Sequence, residues 1–98
     1  MKHTVRHDLE PAKAKQMLDT LLDTYRSHYT DYKIEADWSD DSTAKVGMNI
    51  QGREVQGTIQ ITPDHYNLDF DVPWLFLPFK PKIKKTVDDE VQRWLANF

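Results

Sequence analysis

Hydrophobic residues recur every three or four positions between Leu9 and Tyr29, and this spacing predicts an amphipathic helix. Asp8 can cap the helix, and Pro11 falls within its first turn, where the missing N–H costs little. The apolar side chains form one stripe, which we expect to face a hydrophobic core. The stripe consists of Ala14, Met17, Leu18, Leu21, Leu22, Tyr25 and Tyr29.

After this helix the spacing of apolar positions changes to two, which is typical of half-buried strands. Antiparallel sheets with one face in water show this alternation, whereas parallel sheets rarely do. A short basic stretch at residues 2–7 precedes the helix, and Thr4 and Val5 favour an edge strand there. The four alternating stretches lie at residues 32–38, 44–50, 54–61 and 66–72.

The segments between these stretches favour consecutive hairpins. Gln51 and Gly52 fit a two-residue loop, which would place Met48 opposite Val55 on the apolar face. Residues 62–65 fit a four-residue loop with a proline early in the turn. A slip of one residue would turn every side chain to the other face, so the agreement of both loops with the apolar pattern supports these registers.

A second helix is predicted for residues 80–96, with Pro81 in its first turn and an apolar stripe that starts at Ile83. The element order is then β-α-β-β-β-β-α in a single domain of residues 1–98. The strands need cover on one face, and only the two helices can supply it. We therefore expect an α+β two-layer sandwich, with both helices on one face of a curved antiparallel sheet.

Gly57 lies in the middle of the third alternating stretch, on its apolar face. A glycine weakens the interior of a strand unless another group uses the space. The Phe70 ring can lie over it. Alternatively, the space beside Gly57, Ala36 and Ala44 can hold an apolar acyl ligand between the sheet and the second helix, which would make the protein a small carrier.

Length, charge and composition narrow the classes of function. A net charge of −3 argues against a general nucleic-acid binder, and the absence of cysteine fits a reducing compartment. The N-terminus lacks the apolar region of a signal peptide. The longest apolar run, residues 72–79, is far shorter than a membrane span. We expect a soluble, cytoplasmic protein with no transmembrane segment and no nucleic-acid partner.

Groups with catalytic or metal-binding potential are sparse. On a strand, His3 and His7 would lie about 13 Å apart, too far to share an ion, so we expect exposed edge histidines. His65 lies in a turn without an evident nucleophile, and no phosphate-binding loop is present. Asp69 and Asp71 fit a solvated sheet face. We therefore predict a protein that is not an enzyme, with no catalytic residue, cofactor or metal site.

Residues 72–85, VPWLFLPFKPKIKK, concentrate aromatic rings and positive charge. We expect this stretch to leave the last strand at Val72 and to start the second helix near Lys80, with its lysines on exposed faces. At least half of its rings should be buried between the last strand and the last helix. Two or more aromatic rings in water would instead indicate an interaction site. The candidate interaction residues are Trp74, Leu75, Phe76, Phe79, Lys80, Lys82, Lys84 and Lys85.

Three stretches carry a family resemblance: HTVRHDLEPAKAK at residues 3–15, GREVQGTIQI at residues 52–61, and the stretch at residues 72–85. They resemble the polyhydroxyalkanoic acid system proteins, small bacterial proteins linked to polyester storage-granule genes. The run Pro78-Phe79-Lys80 is the most specific part. Pro81 stands where many members of this family have a glycine. The element order also resembles a reduced helix-grip (START-like) fold.

The resemblance implies a cellular context and brings no catalytic residue with it. It implies an accessory protein of polyester storage, whose partners are the granule surface or granule-associated proteins. The rings of the stretch at residues 72–85 would then enter the apolar phase while its lysines meet anionic groups. The acyl carrier described above is the alternative. An exposed aromatic patch would also allow self-association.

Overall fold

The computed structural model describes residues 1–98 and contains five strands, two α-helices and two short 3₁₀ helices. Their order confirms the predicted β-α-β-β-β-β-α arrangement and the α+β class. In chain order the elements are β1 (Lys2–Arg6), α1 (Pro11–His28), a first 3₁₀ helix (Thr30–Tyr32), β2 (Glu35–Trp38), β3 (Thr43–Ile50), β4 (Arg53–Ile61), β5 (His65–Asp71), a second 3₁₀ helix (Trp74–Phe79) and α2 (Lys80–Asn97).

The five strands form one sheet in the order β1-β5-β4-β3-β2, and every neighbouring pair is antiparallel. The first strand returns to the sheet edge beside β5, which confirms the predicted edge strand. Gln51 and Gly52 both have positive φ, 54° and 78°, as a two-residue hairpin turn with the right twist requires. The predicted register is confirmed, with Met48 opposite Val55.

One hydrophobic core fills the space between the sheet and the helices. Five residues of α1 and one residue of α2 belong to it, so both helices cover the same face of the sheet. The buried hydroxyl of Tyr66 donates a hydrogen bond to the Ala14 carbonyl at 2.8 Å, which ties β5 to α1. The core consists of Val5, Ala14, Met17, Leu18, Leu21, Leu22, Ala44, Val46, Ile59, Tyr66, Leu68 and Val91.

Two predicted element boundaries are wrong. The second strand begins at Glu35 rather than at residue 32, because residues 30–32 form a 3₁₀ helix and Lys33 adopts the left-handed conformation, with φ of 47°. Asp8 does not cap α1. Glu10 occupies the N-cap position without a side-chain bond, and the proline that follows it fixes the first helical turn, so Asp8 lies outside the helix.

The prediction that His3 and His7 are exposed edge histidines is wrong. His7 is only 3% exposed; its Nε2–H donates to the Thr62 carbonyl at 2.9 Å, and its Nδ1 accepts from the Leu9 N–H at 3.0 Å. His3 is partly buried, with Nε2 3.2 Å from an Asp88 carboxylate oxygen. For His3 the cause is strand alternation, because it lies two positions from the core residue Val5 on β1. His7 directly follows β1, and its backbone N–H donates to the Asp64 carbonyl at 2.9 Å, which holds it against the turn before β5.

Candidate interaction surface

The chain leaves β5 through Val72 and Pro73 and enters α2 at Lys80, as the sequence predicts. Between these two elements it forms the second 3₁₀ helix, which the sequence pattern does not predict. The Phe76 N–H donates to the Pro73 carbonyl at 2.9 Å, which closes the first 3₁₀ turn. A regular α-helix cannot extend back through this stretch, because Pro78 lacks an N–H and disfavours the helical conformation of the residue before it. We call residues 74–85 the apolar–basic segment.

The apolar side chains of this segment are largely in water. The exposed fractions are 74% for Trp74, 57% for Phe79, 48% for Leu77 and 42% for Leu75, while Phe76 is half-buried. The prediction that at least half of the rings are buried is therefore wrong. The second 3₁₀ helix packs against α2, and no residue of the segment belongs to the core between sheet and helices.

Two exposed aromatic rings meet the criterion for an interaction site rather than a structural corner. Contiguous exposed apolar side chains with a polar rim are typical of surfaces that contact proteins or membranes. Leu77 is absent from the candidate residues derived from the sequence, although it is more exposed than Leu75. Its membership of the same unbroken apolar run, residues 74–77, is the signal that identifies it.

The four lysines of the segment differ in exposure. Lys82 and Lys85 are exposed, whereas Lys80 and Lys84 are half-buried, so the expectation that all lie on exposed faces is wrong for two. The cause is helical spacing, because Lys80 and Lys84 precede the core residue Val91 by 11 and 7 positions and share its face. Lys85 pairs with the exposed Asp89 at 2.8 Å, one turn later. This hydrogen bond raises the pKa of Lys85.

The start of α2 is held less firmly than its end. Near its C-terminal half, the Tyr25 hydroxyl donates to a Glu90 carboxylate oxygen, and the Trp94 Nε1–H donates to the Tyr25 hydroxyl at 3.3 Å. No side chain of residues 80–87 forms a hydrogen bond outside α2. The lysine-bearing turns are thus presented at the surface.

The space proposed for an apolar ligand beside Gly57 is occupied. A Cβ atom added there would lie 2.5 Å from the Asp69 carbonyl oxygen and would contact the Phe70 ring, which confirms the predicted position of that ring. Ala44 is fully buried in the core. The carrier hypothesis therefore loses the cavity on which it depended.

Neither helix has the length and apolar character that crossing a membrane requires. An α+β domain with a five-stranded antiparallel sheet and a surface-exposed apolar–basic segment is the class of protein that these features define. A family model described as putative polyhydroxyalkanoic acid system protein matches residues 2–95, and the chain belongs to this family. The match confirms the resemblance seen in the sequence and includes the whole apolar–basic segment. No curated protein and no solved structure matches the chain.

Proposed function

We propose that this member of the polyhydroxyalkanoic acid system is a non-enzymatic, cytoplasmic accessory protein that contacts the surface of storage granules through its apolar–basic segment. The observation that carries the proposal is the exposure of Trp74 and Phe79 in a segment that also carries four lysines. The family match supports the cellular context.

The chemistry of the segment suits a surface that is apolar inside and anionic outside. Moving one exposed aromatic ring from water into an apolar phase contributes about 1.5–3 kcal/mol. Each lysine near an anionic surface contributes about 1 kcal/mol, and less as salt screens it. Because two rings but only two of the four lysines are exposed, the rings supply most of the binding free energy, and the lysines orient the protein and add salt dependence.

Co-sedimentation with purified granules tests the contact. The Trp74→Ser/Phe79→Ser double variant should lose most of its binding, while its melting temperature stays close to that of the wild type because both rings are exposed. Tyr29→Ser/Tyr32→Ser is the matched control, since it removes two exposed rings outside the segment. Unchanged sedimentation of the folded Trp74→Ser/Phe79→Ser variant would remove the segment from the mechanism.

A charge variant separates the two contributions. Lys82→Gln/Lys85→Gln removes the two exposed lysines and keeps both rings. This variant should lose less granule binding than the aromatic variant. Its difference from the wild type should become smaller still at high salt, which screens the lysines. A larger loss than that of the aromatic variant would show that the contact is mainly electrostatic.

A further inference from the structure

The outer face of the sheet, opposite the helices, forms a groove that no element of the chain covers. The groove has a volume of about 720 Å³ and runs along strands β2 to β5. Its floor includes Gly47, and a Cβ atom added there would meet no atom within 4 Å. The middle of the groove is therefore open.

The two sides of the groove are acidic. The sheet register places Glu35 and Asp71 at opposite ends of one row of residues, which crosses Gly47. Asp37 and Asp69 occupy the same places in the next row. All four carboxylates are exposed and none forms an ion pair. In total, five carboxylates and two lysines line the groove.

The dimensions of the groove suit a helix. Three strand spacings separate β2 from β5, so the two acidic sides lie about 14 Å apart. An α-helix with its side chains is about 10–12 Å wide. A helix with complementary charge would carry lysine or arginine, and no carboxylate, on the turns that lie in the groove.

The chain itself carries such a helix start. Residues 72–87 contain four lysines and no carboxylate, and Lys82 and Lys85 are both exposed. Residues three apart on a helix lie on the same side, so both ammonium groups can reach one acidic side of the groove. We propose that the outer groove of one copy binds the first turns of α2 of a second copy.

This contact is heterologous, because it joins two different surfaces. Each bound copy keeps a free groove or a free helix start, so copies add head to tail into open chains or rings. A copy whose apolar–basic segment lies on a granule would still offer its groove to the next copy. Lys82 and Lys85 serve both proposed contacts, whereas the groove carboxylates take no part in the granule contact, so the groove variants test the association separately.

Sedimentation velocity at increasing protein concentration tests the association. Wild-type mass should rise with concentration at low salt, and the rise should disappear at high salt, because the Debye length falls to about 3 Å at 1 M. Gly47→Tyr fills the groove without changing charge and suits a strand, so it should stay folded and monomeric. Asp69→Lys/Asp71→Lys and Lys82→Glu/Lys85→Glu should each weaken association at least about tenfold.

A control and a mixing experiment make the test specific. Asp8→Lys/Glu10→Lys makes the same charge change as the groove variant at two exposed residues outside the groove, and it should associate like the wild type. The groove and helix variants, mixed, should associate again into dimers or larger species, because the intact groove of one copy then meets the intact helix start of the other.

Four results would overturn the proposal: a wild type that is monomeric at every concentration, association that survives in folded Gly47→Tyr, a control that loses association, or no association on mixing. If Gly47→Tyr fails to fold, the two charge-reversal variants and their mixture decide the question. Granule sedimentation of Gly47→Tyr should equal that of the wild type, and this result separates the groove from the granule contact.

Discussion

The two α-helices have the same length, 18 residues each, but they bury very different parts of their apolar stripes. Five residues of α1 are buried, whereas Val91 is the only buried residue of α2. The spacing of apolar residues is similar in both. The comparison shows that periodicity predicts which face of a helix turns inward, and that the position of the helix over the sheet decides how completely this face is covered.

The position of each helix explains the difference. The buried stripe of α1 shares one core with residues of β3, β4 and β5, in the middle of the sheet. α2 instead contacts β1 at the sheet edge, the side of α1 and the second 3₁₀ helix. Ile83 and Val87 in its first half are therefore only half-buried. Stability should be concentrated in the α1 part of the molecule, with the start of α2 as a weaker region.

The largest expected effect comes from Met17, a fully buried residue of α1 that faces the core. Met17→Ala should lower the free energy of unfolding by about 2–5 kcal/mol, because it removes buried methylene groups and leaves a cavity. Ile83→Ala, in the half-buried stripe of α2, should cost less than about 1.5 kcal/mol. Urea denaturation of both variants measures the difference. Equal losses would show that α2 is packed as completely as α1.

The sequence predicts the strand order along the chain and both hairpin registers, because alternation and turn residues are local signals. It predicts the start of α2 at Lys80 for the same reason. The exposure of Trp74 and Phe79 could not be predicted. An apolar run indicates a preference for burial, but the sequence does not show whether the core can accommodate these side chains. Partial burial of His3 was predictable, because His3 lies two positions from Val5 on β1, whereas His7 lies just beyond the strand.

Gly57 and Gly47 lie on opposite faces of the sheet, and substituting each by alanine compares the packing of the two faces. Gly57→Ala should cost about 1–3 kcal/mol, because the new methyl group meets the Asp69 carbonyl oxygen, which is backbone and cannot move away cheaply. Gly47→Ala, on the open outer face, should be neutral or stabilise by up to about 1 kcal/mol, since alanine loses less conformational entropy than glycine. Thermal unfolding measures both. A neutral Gly57→Ala would mean that Phe70 and β5 yield easily.

The smallest effects come from two tyrosine hydroxyls that tie the layers together. The Tyr66 hydroxyl is buried and bonds to the Ala14 carbonyl, whereas the Tyr25 hydroxyl joins α1 to the partly exposed Glu90 of α2. Tyr66→Phe should cost about 1 kcal/mol, because it removes one buried hydrogen bond. Tyr25→Phe should cost less, because water can replace the bond at a partly exposed site.

The pH dependence of Tyr66→Phe sharpens this last comparison. Burial raises the pKa of Tyr66 above the ordinary value of 10.0. The unfolded chain therefore loses this proton at lower pH than the folded protein, and the stability linked to Tyr66 is complete below pH 10 and decreases as pH rises towards the folded pKa. Urea denaturation between about pH 8 and pH 11 should show a constant advantage of wild type over Tyr66→Phe up to about pH 10, followed by a decrease. An advantage that grows with pH would contradict the burial of this phenol and the packing of α1 on β5.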